Sequence, residues 1–310
     1  MVAARIAITG AAGLVGQNLI PRLEARGYRD IVAIDKHPAN TALLRRLHPD
    51  VTVVEADLAE PGAWQQAVAA VDVIVICHAQ IGGLDRATYA RNNIAATERL
   101  LAAVARPDVY LVHVSSSVVK SMAKDDYVWS KEAQEKLVLQ SGSPAIVLRP
   151  TLMFGWFDRK HLGWLSRFMQ RSPLFPIPGH GRYLRQPLYV GDFCDIVMAC
   201  IECRPTGEYN ITGLEPIDYV DLIRAVKEVS GGSARIVPVP YRLFWSMLFV
   251  YGLFSRDPPF TTKQLEALAT PDVFEVIDWP ALFGVKPTPL KTALAETYRD
   301  PVYSRIALEF

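Results

Sequence analysis

Short apolar runs recur at regular intervals through the first half of the chain. They are ARIAIT (4–9), DIVAID (30–35), VTVVEAD (51–57), VDVIVIC (71–77), DVYLVHV (108–114) and PAIVLRP (144–150). Continuous Val/Ile runs of this length mark strands buried on both faces, which requires a parallel sheet covered by helices on each side. The stretches between them carry helical periodicity and predict helices at 14–26, near 39–47, near 61–70, near 86–105 and near 126–140. Pro21 falls inside the first of these and predicts a kink. Strand–helix alternation of this kind gives an α/β fold built on a doubly wound parallel sheet.

Beyond residue 150 the pattern loosens and proline becomes frequent, at Pro173, Pro176, Pro178 and Pro187. QPLYV and GEYNIT read as short strands with a helix over 191–203 between them. The reading is a first domain over 1–150 and a smaller α/β substrate lobe over 151–310, interleaved with the first. YRLFWSMLFVYGLFS (241–255) is apolar around most of a helix and flanked by Arg242 and Arg256. Such a helix is normally buried, here in the second lobe or at a subunit interface. The alternative is a helix lying on a membrane surface, with the arginines at head-group level. At twelve residues its most apolar run, 243–254, is too short to span a bilayer, which takes about 20.

TGAAGLVG (9–16) sits between the first strand and the first helix, with Gly10, Gly13 and Gly16 at three-residue spacing. Glycines there let the backbone turn tightly and approach a pyrophosphate, which then lies at the positive end of the helix. Asp35 ends the second strand, 19 residues beyond Gly16. A carboxylate at that place accepts hydrogen bonds from ribose hydroxyls and repels a 2′-phosphate, favouring NAD over NADP; the adjacent Lys36 weakens that preference. Asp57, ending the third strand, either meets the adenine or caps the next segment.

SSSVVKSMAKDDYVWSK (115–131) follows the fifth strand, at the sheet edge where doubly wound folds bind ligands. Tyr127 and Lys131 fall four apart on the next helix, on one face. A nearby ammonium and a cationic nicotinamide both favour the phenolate, so such a Tyr can move the proton of a substrate hydroxyl. The preceding serines can hold the same oxygen.

Composition narrows the partners. The 310 residues are half apolar, with 33 basic and 32 acidic side chains and a net charge of +1. That balance argues against nucleic acid. Four cysteines are too few and too clustered for a disulfide framework, and the chain enters its first strand without a signal-peptide pattern. Cys200-Ile-Glu-Cys203 lacks a second ligand pair, and the six histidines show no metal-like spacing, so no metal is expected. Trp156, Phe157 and Trp164 read as core aromatics more than as a pocket lining.

Taken together these motifs resemble the extended short-chain dehydrogenase/reductase family, in its NAD-dependent epimerase/dehydratase branch, and are similar to UDP-galactose 4-epimerases. The resemblance runs over nearly the whole chain: TGAAGLVG, Asp57, NNIAAT (92–97) with Asn93, the serines with Tyr127 and Lys131, LRPTLMFG (148–155) and RQPLYVGD (185–192). It implies a Rossmann-type NAD-binding domain with cofactor contacts at Gly10, Gly13, Leu14, Val15, Gly16, Asp35, Lys36, Asp57, Leu58, Asn93, Tyr127 and Lys131. It implies Ser117, Tyr127 and Lys131 as the catalytic triad, and substrate contacts at Ser116, Ser117, Tyr127 and Arg185, the last on a substrate diphosphate. Two departures stand out. His78 in Cys77-His78-Ala79 is displaced by one from the family's His, and nine residues separate Ser117 from Tyr127, where many sugar-nucleotide epimerases have a loop more than twice as long.

The expectation is an NAD-dependent C4 epimerase of a nucleotide-linked or polyprenyl-diphosphate-linked sugar. It would be cytoplasmic, a homodimer, and in peripheral contact with the inner membrane face through 241–255. A 4-keto-sugar reductase and a non-catalytic nucleotide-binding subunit of a membrane complex are the alternatives.

Overall fold

A computed structural model describes residues 4–82, 85–104, 106–121, 125–158, 160–254, 262–269 and 274–309. The six apolar runs form β1 (Ile6–Thr9), β2 (Ile31–Asp35), β3 (Thr52–Glu55), β4 (Val73–Ile76), β5 (Tyr110–Val114) and β6 (Ala145–Pro150). Further along lie β7 (Met153–Phe154), β8 (Leu174–Pro178), β9 (Leu184–Arg185), β10 (Leu188–Tyr189), β11 (Gly207–Ile211), β12 (Ile217–Asp218) and β13 (Arg235–Val239). The central sheet has the order β11-β6-β5-β4-β1-β2-β3, and every pair in it is parallel. Every residue of β1, β4, β5 and β6 is buried, as two-sided helical cover demands. Chain order reverses between β1 and β4, so the crevice beyond their carboxyl ends is the place for a ligand.

The helices facing this sheet are α1 (Leu14–Ala25), α2 (Pro38–Leu47), α3 (Trp64–Ala69), α4 (Arg86–Tyr89), α5 (Ala96–Ala103) and α6 (Asp126–Leu139). Pro21 lies within α1, which runs on as one helix. The helix expected near 86–105 is instead three pieces, with a π-helical turn at Ala90–Ala95 between α4 and α5. The wider turn carries Asn93 into the protein, where it is fully buried and bonded on both sides.

GEYNIT, read from sequence as part of the smaller lobe, supplies the seventh strand of the central sheet. Gly207 pairs with Ile146 and Ile211 with Pro150. Two polar ties fix it: the Tyr110 hydroxyl donates to the Pro205 carbonyl at 2.5 Å, and Glu208 pairs with the buried Arg149. One hydrophobic cluster then runs from β1 and α1 through α7 (Leu162–Arg171), α8 (Val190–Cys203) and α9 (Tyr219–Ser230) to Leu294.

For α10 (Tyr241–Phe254) the expectation was burial in the lobe or at a subunit interface, with a membrane surface as the alternative. None of its residues is buried within this chain, so burial in the lobe does not hold and the other two stand. No helix among the described residues is long and apolar enough to cross a membrane. Arg256 and Ser255 lie outside the described residues.

Candidate active site

The glycine turn closes on itself before α1 begins. The Gly13 amide donates to the Gly10 carbonyl at 3.1 Å, and Gly10 is held at φ +64°. A Cβ on Gly10 would stand 2.7 Å from the backbone of His78, and one on Gly16 would stand 2.3 Å from the Ala11 carbonyl oxygen. The turn is thus packed too tightly for any other residue at either place. The first turn of α1 holds no acidic side chain, leaving its amides and dipole available to an anion. Leu14 and Val15 form that turn.

Asp35 sits at the end of β2, and its carboxylate accepts the Ala12 amide and the His37 amide, each at 3.0 Å. Burial pushes its pKa up, and those backbone bonds work the other way. It therefore braces the turn and stands beside it. Lys36 reaches Asn92 at 2.9 Å and lies 3.9 Å from Asp57. Asp57 is also paired with Arg91 at 2.8 Å. Burial works to raise the Asp57 pKa, but the Ala59 amide, Arg91 and Lys36 hold it below the usual carboxylate range. Lys36 is thus engaged by Asp57 and Asn92. Leu58 is buried in the core beside Ile34 and Ile76. Arg91, two residues before Asn93, was not singled out by sequence; nothing in its spacing pointed to Asp57.

The proton-transfer candidates lie across the crevice. Ser116 caps a short 3-10 turn at Ser117–Lys120, and Asp125 caps α6 by accepting the Val128 amide at 2.8 Å. Tyr127 therefore stands in the first turn of α6. Residues 122–124, in the middle of the short gap, lie outside the described residues. Ser116 lies close enough to the Tyr127 phenol to favour its ionised form. Burial raises its pKa to about 12, with Ser116 opposing the rise and Asp125 and Tyr89 adding to it. Ser117, the expected triad serine, is 3% exposed and has no bond to Tyr127 described. Ser115 is held at 2.5 Å by the buried Glu135, which also pairs with Arg149.

Lys131 is 1% exposed. Its ammonium donates to the Val114 carbonyl at 2.9 Å and to Gln134 Oε1 at 2.8 Å. Burial lowers its pKa to about 8, and Glu135 opposes the fall. In this arrangement the ammonium is anchored by β5 and Gln134, and burial, Ser116, Asp125 and Tyr89 set the state of the phenol. Gln134 Nε2 in turn donates to Thr97, whose hydroxyl donates to the Asn93 carbonyl at 2.7 Å. Asn93 Nδ2 donates to Ser130, and Ser130 to the Tyr127 carbonyl. His78 bridges Thr9 and Thr97 at 2.8 and 3.0 Å; burial and then Lys131 lower its pKa to about 3, so it is neutral. This network locks β1, α5 and α6 together under the site. Gln134 was legible in principle, because it falls three residues after Lys131 and shares its face.

Arg185 is half-buried on β9, where its backbone pairs with that of Ile217. Trp156 and Phe157 pack against Tyr303 with tilted rings, near the end of the chain. Among the described residues no cluster of His, Cys, Asp and Glu could hold a metal.

The Gly10 and Gly16 cradle and the open α1 terminus fit a pyrophosphate, Asp35 fits the adenosine ribose, and Lys131 fits the second ribose of NAD. Comparison with known proteins agrees. A model of the NAD dependent epimerase/dehydratase family matches residues 6–212. Ceramide reductase of Caulobacter vibrioides is 26% identical over 250 residues, which span 76% of this chain and 73% of that protein. Subunit 9 of the mitochondrial NADH dehydrogenase (ubiquinone) 1 alpha subcomplex of Mus musculus is 33% identical over 205 residues, 62% of this chain and 50% of that one. A UDP-glucose 4-epimerase structure from Thermotoga maritima superposes with TM-score 0.74 at 17% identity, covering 95% of this chain and 97% of the other. At that identity the likeness speaks for the fold.

Proposed function

The chain belongs to the NAD-dependent epimerase/dehydratase family, with NAD as cofactor, and from that premise we propose that it interconverts a ketone and a secondary alcohol on a lipid-type molecule. The observation that carries this is Tyr127 in the first turn of α6, four residues before the buried Lys131, in the segment that follows β5 in the sheet that also holds the glycine turn. When bound, the nicotinamide exchanges hydride with the carbinol carbon. Ser116 and Tyr127 hold the substrate oxygen. In reduction Tyr127 gives its proton to that oxygen; in oxidation it takes the proton back. Lys131 has three N–H donors and spends two on Val114 and Gln134, leaving the third for a ribose hydroxyl. A lipid-type substrate is supported by the likeness to ceramide reductase, the short gap before Tyr127 and the apolar surface of α10.

A second reading is the C4 sugar epimerase, acting on a nucleotide-linked or polyprenyl-linked sugar. Arg185, on β9 of the second lobe, favours it as a partner for a diphosphate. The two readings differ in cofactor balance. With NADH and a long-chain 3-oxo lipid, the first predicts one NADH oxidised per alcohol formed. With a uridine-diphospho or polyprenyl-diphospho sugar, the second predicts inversion with no net change in NADH. Inversion of a sugar without lipid reduction moves the assignment to the second reading. NAD binding without turnover of any of these substrates contradicts both and matches a non-catalytic subunit.

A further inference from the structure

The helix α10 presents an apolar face that the rest of the described chain leaves uncovered. Tyr241, Phe244, Trp245 and Leu248 are half-buried and form the inward side; Trp245 stacks on Phe249 and donates to Glu266. Leu243, Met247, Val250 and Phe254 recur at helical spacing on the outward side, and Leu253 lies between them. Met247 is 56% exposed, Leu253 67% and Phe254 87%. A contiguous apolar face of this kind marks a contact surface.

Charge selects the occupant. From Gly231 to Phe254 the sequence carries two arginines, Arg235 and Arg242, and no acidic residue. Arg242 is exposed in the first turn of α10, and Arg235 is exposed on β13, the strand that leads into it. An outward face of large apolar side chains, with Arg242 exposed in the first turn, no acidic side chain on the helix itself and Glu266 held at Trp245 on the inward side, suits the interface of an anionic bilayer. Fourteen residues of helix span about 21 Å, short of the roughly 30 Å hydrocarbon core, so the helix lies in the plane of the surface.

We propose that α10 is an interfacial helix that docks the protein on an anionic lipid surface. This does not depend on which reaction the site performs. The test is flotation of the full chain with phosphatidylcholine vesicles, and with vesicles that also contain phosphatidylglycerol. The wild type should float with the anionic vesicles at least about tenfold better than with the neutral ones. Met247→Glu/Leu253→Glu should lose binding about tenfold or more while keeping wild-type NAD affinity, which reports an intact fold. Arg242→Glu should lose the preference for anionic vesicles. In the wild type, amide exchange in α10 should slow when anionic vesicles are added. Failure of the wild type to float with either vesicle, or unchanged flotation of the double variant, overturns the proposal. So does a wild-type dimer that ignores vesicles and that the double variant converts to monomer, because the face is then a subunit interface.

Discussion

The three serines leave β5 in three different settings. Family resemblance implies Ser117, third in the run; we propose Ser116, the serine close enough to the Tyr127 phenol to oppose its raised pKa. The choice was not readable from sequence because it depends on how the chain leaves β5. Ser115 is pulled inward to Glu135, Ser116 caps the next turn, and Ser117 is buried at the start of that turn. Ser116→Ala should lower turnover by about tenfold or more with little change in NAD affinity, and Ser117→Ala should do so by less. Steady-state rates of the two variants, measured together, check the order; the reverse order returns the role to Ser117. Tyr127 and Lys131 were legible as a pair from their spacing. The bonds of Lys131 to Val114 and Gln134 were not, because they depend on how α6 packs against β5.

Apolar runs and glycine spacing were enough to place β1 to β6, the turn before α1 and Asp35, because each rests on a local rule of burial or backbone freedom. The seventh strand was legible as a strand but not as a member of the central sheet. Its place depends on Tyr110 and Arg149, which reach it from strands far away in sequence. The π-helical turn also escaped, because its cause is the non-local pull of Gln80 and Ser130 on Asn93. The tightest element is the turn itself. Gly16→Ala would drive a Cβ to 2.3 Å from the Ala11 carbonyl oxygen, and backbone cannot yield there as a side-chain tip would. That variant should melt at a lower temperature and bind NAD about tenfold more weakly or worse, as calorimetry of both would show. Unchanged affinity would mean that the turn does not form the pyrophosphate cradle.

The molecule as a whole combines a sheet-edge site with an uncovered apolar helix. Periodicity identified α10 as apolar all round, and burial was the reasonable expectation. Packing overrules burial within the chain and not burial at a subunit interface: the core cluster is completed by α7, α8, α9 and the segment around Leu294. On the reading proposed above, the uncovered helix would bring the site to a substrate held in a lipid surface. All of this rests on Tyr127 moving the substrate proton. Tyr127→Phe keeps the ring and removes the hydroxyl, so the decisive measurement is its turnover beside its NAD affinity, on whichever substrate the wild type accepts. The account predicts NAD affinity near wild type and a rate lower by about a hundredfold or more. A rate near wild type would contradict it.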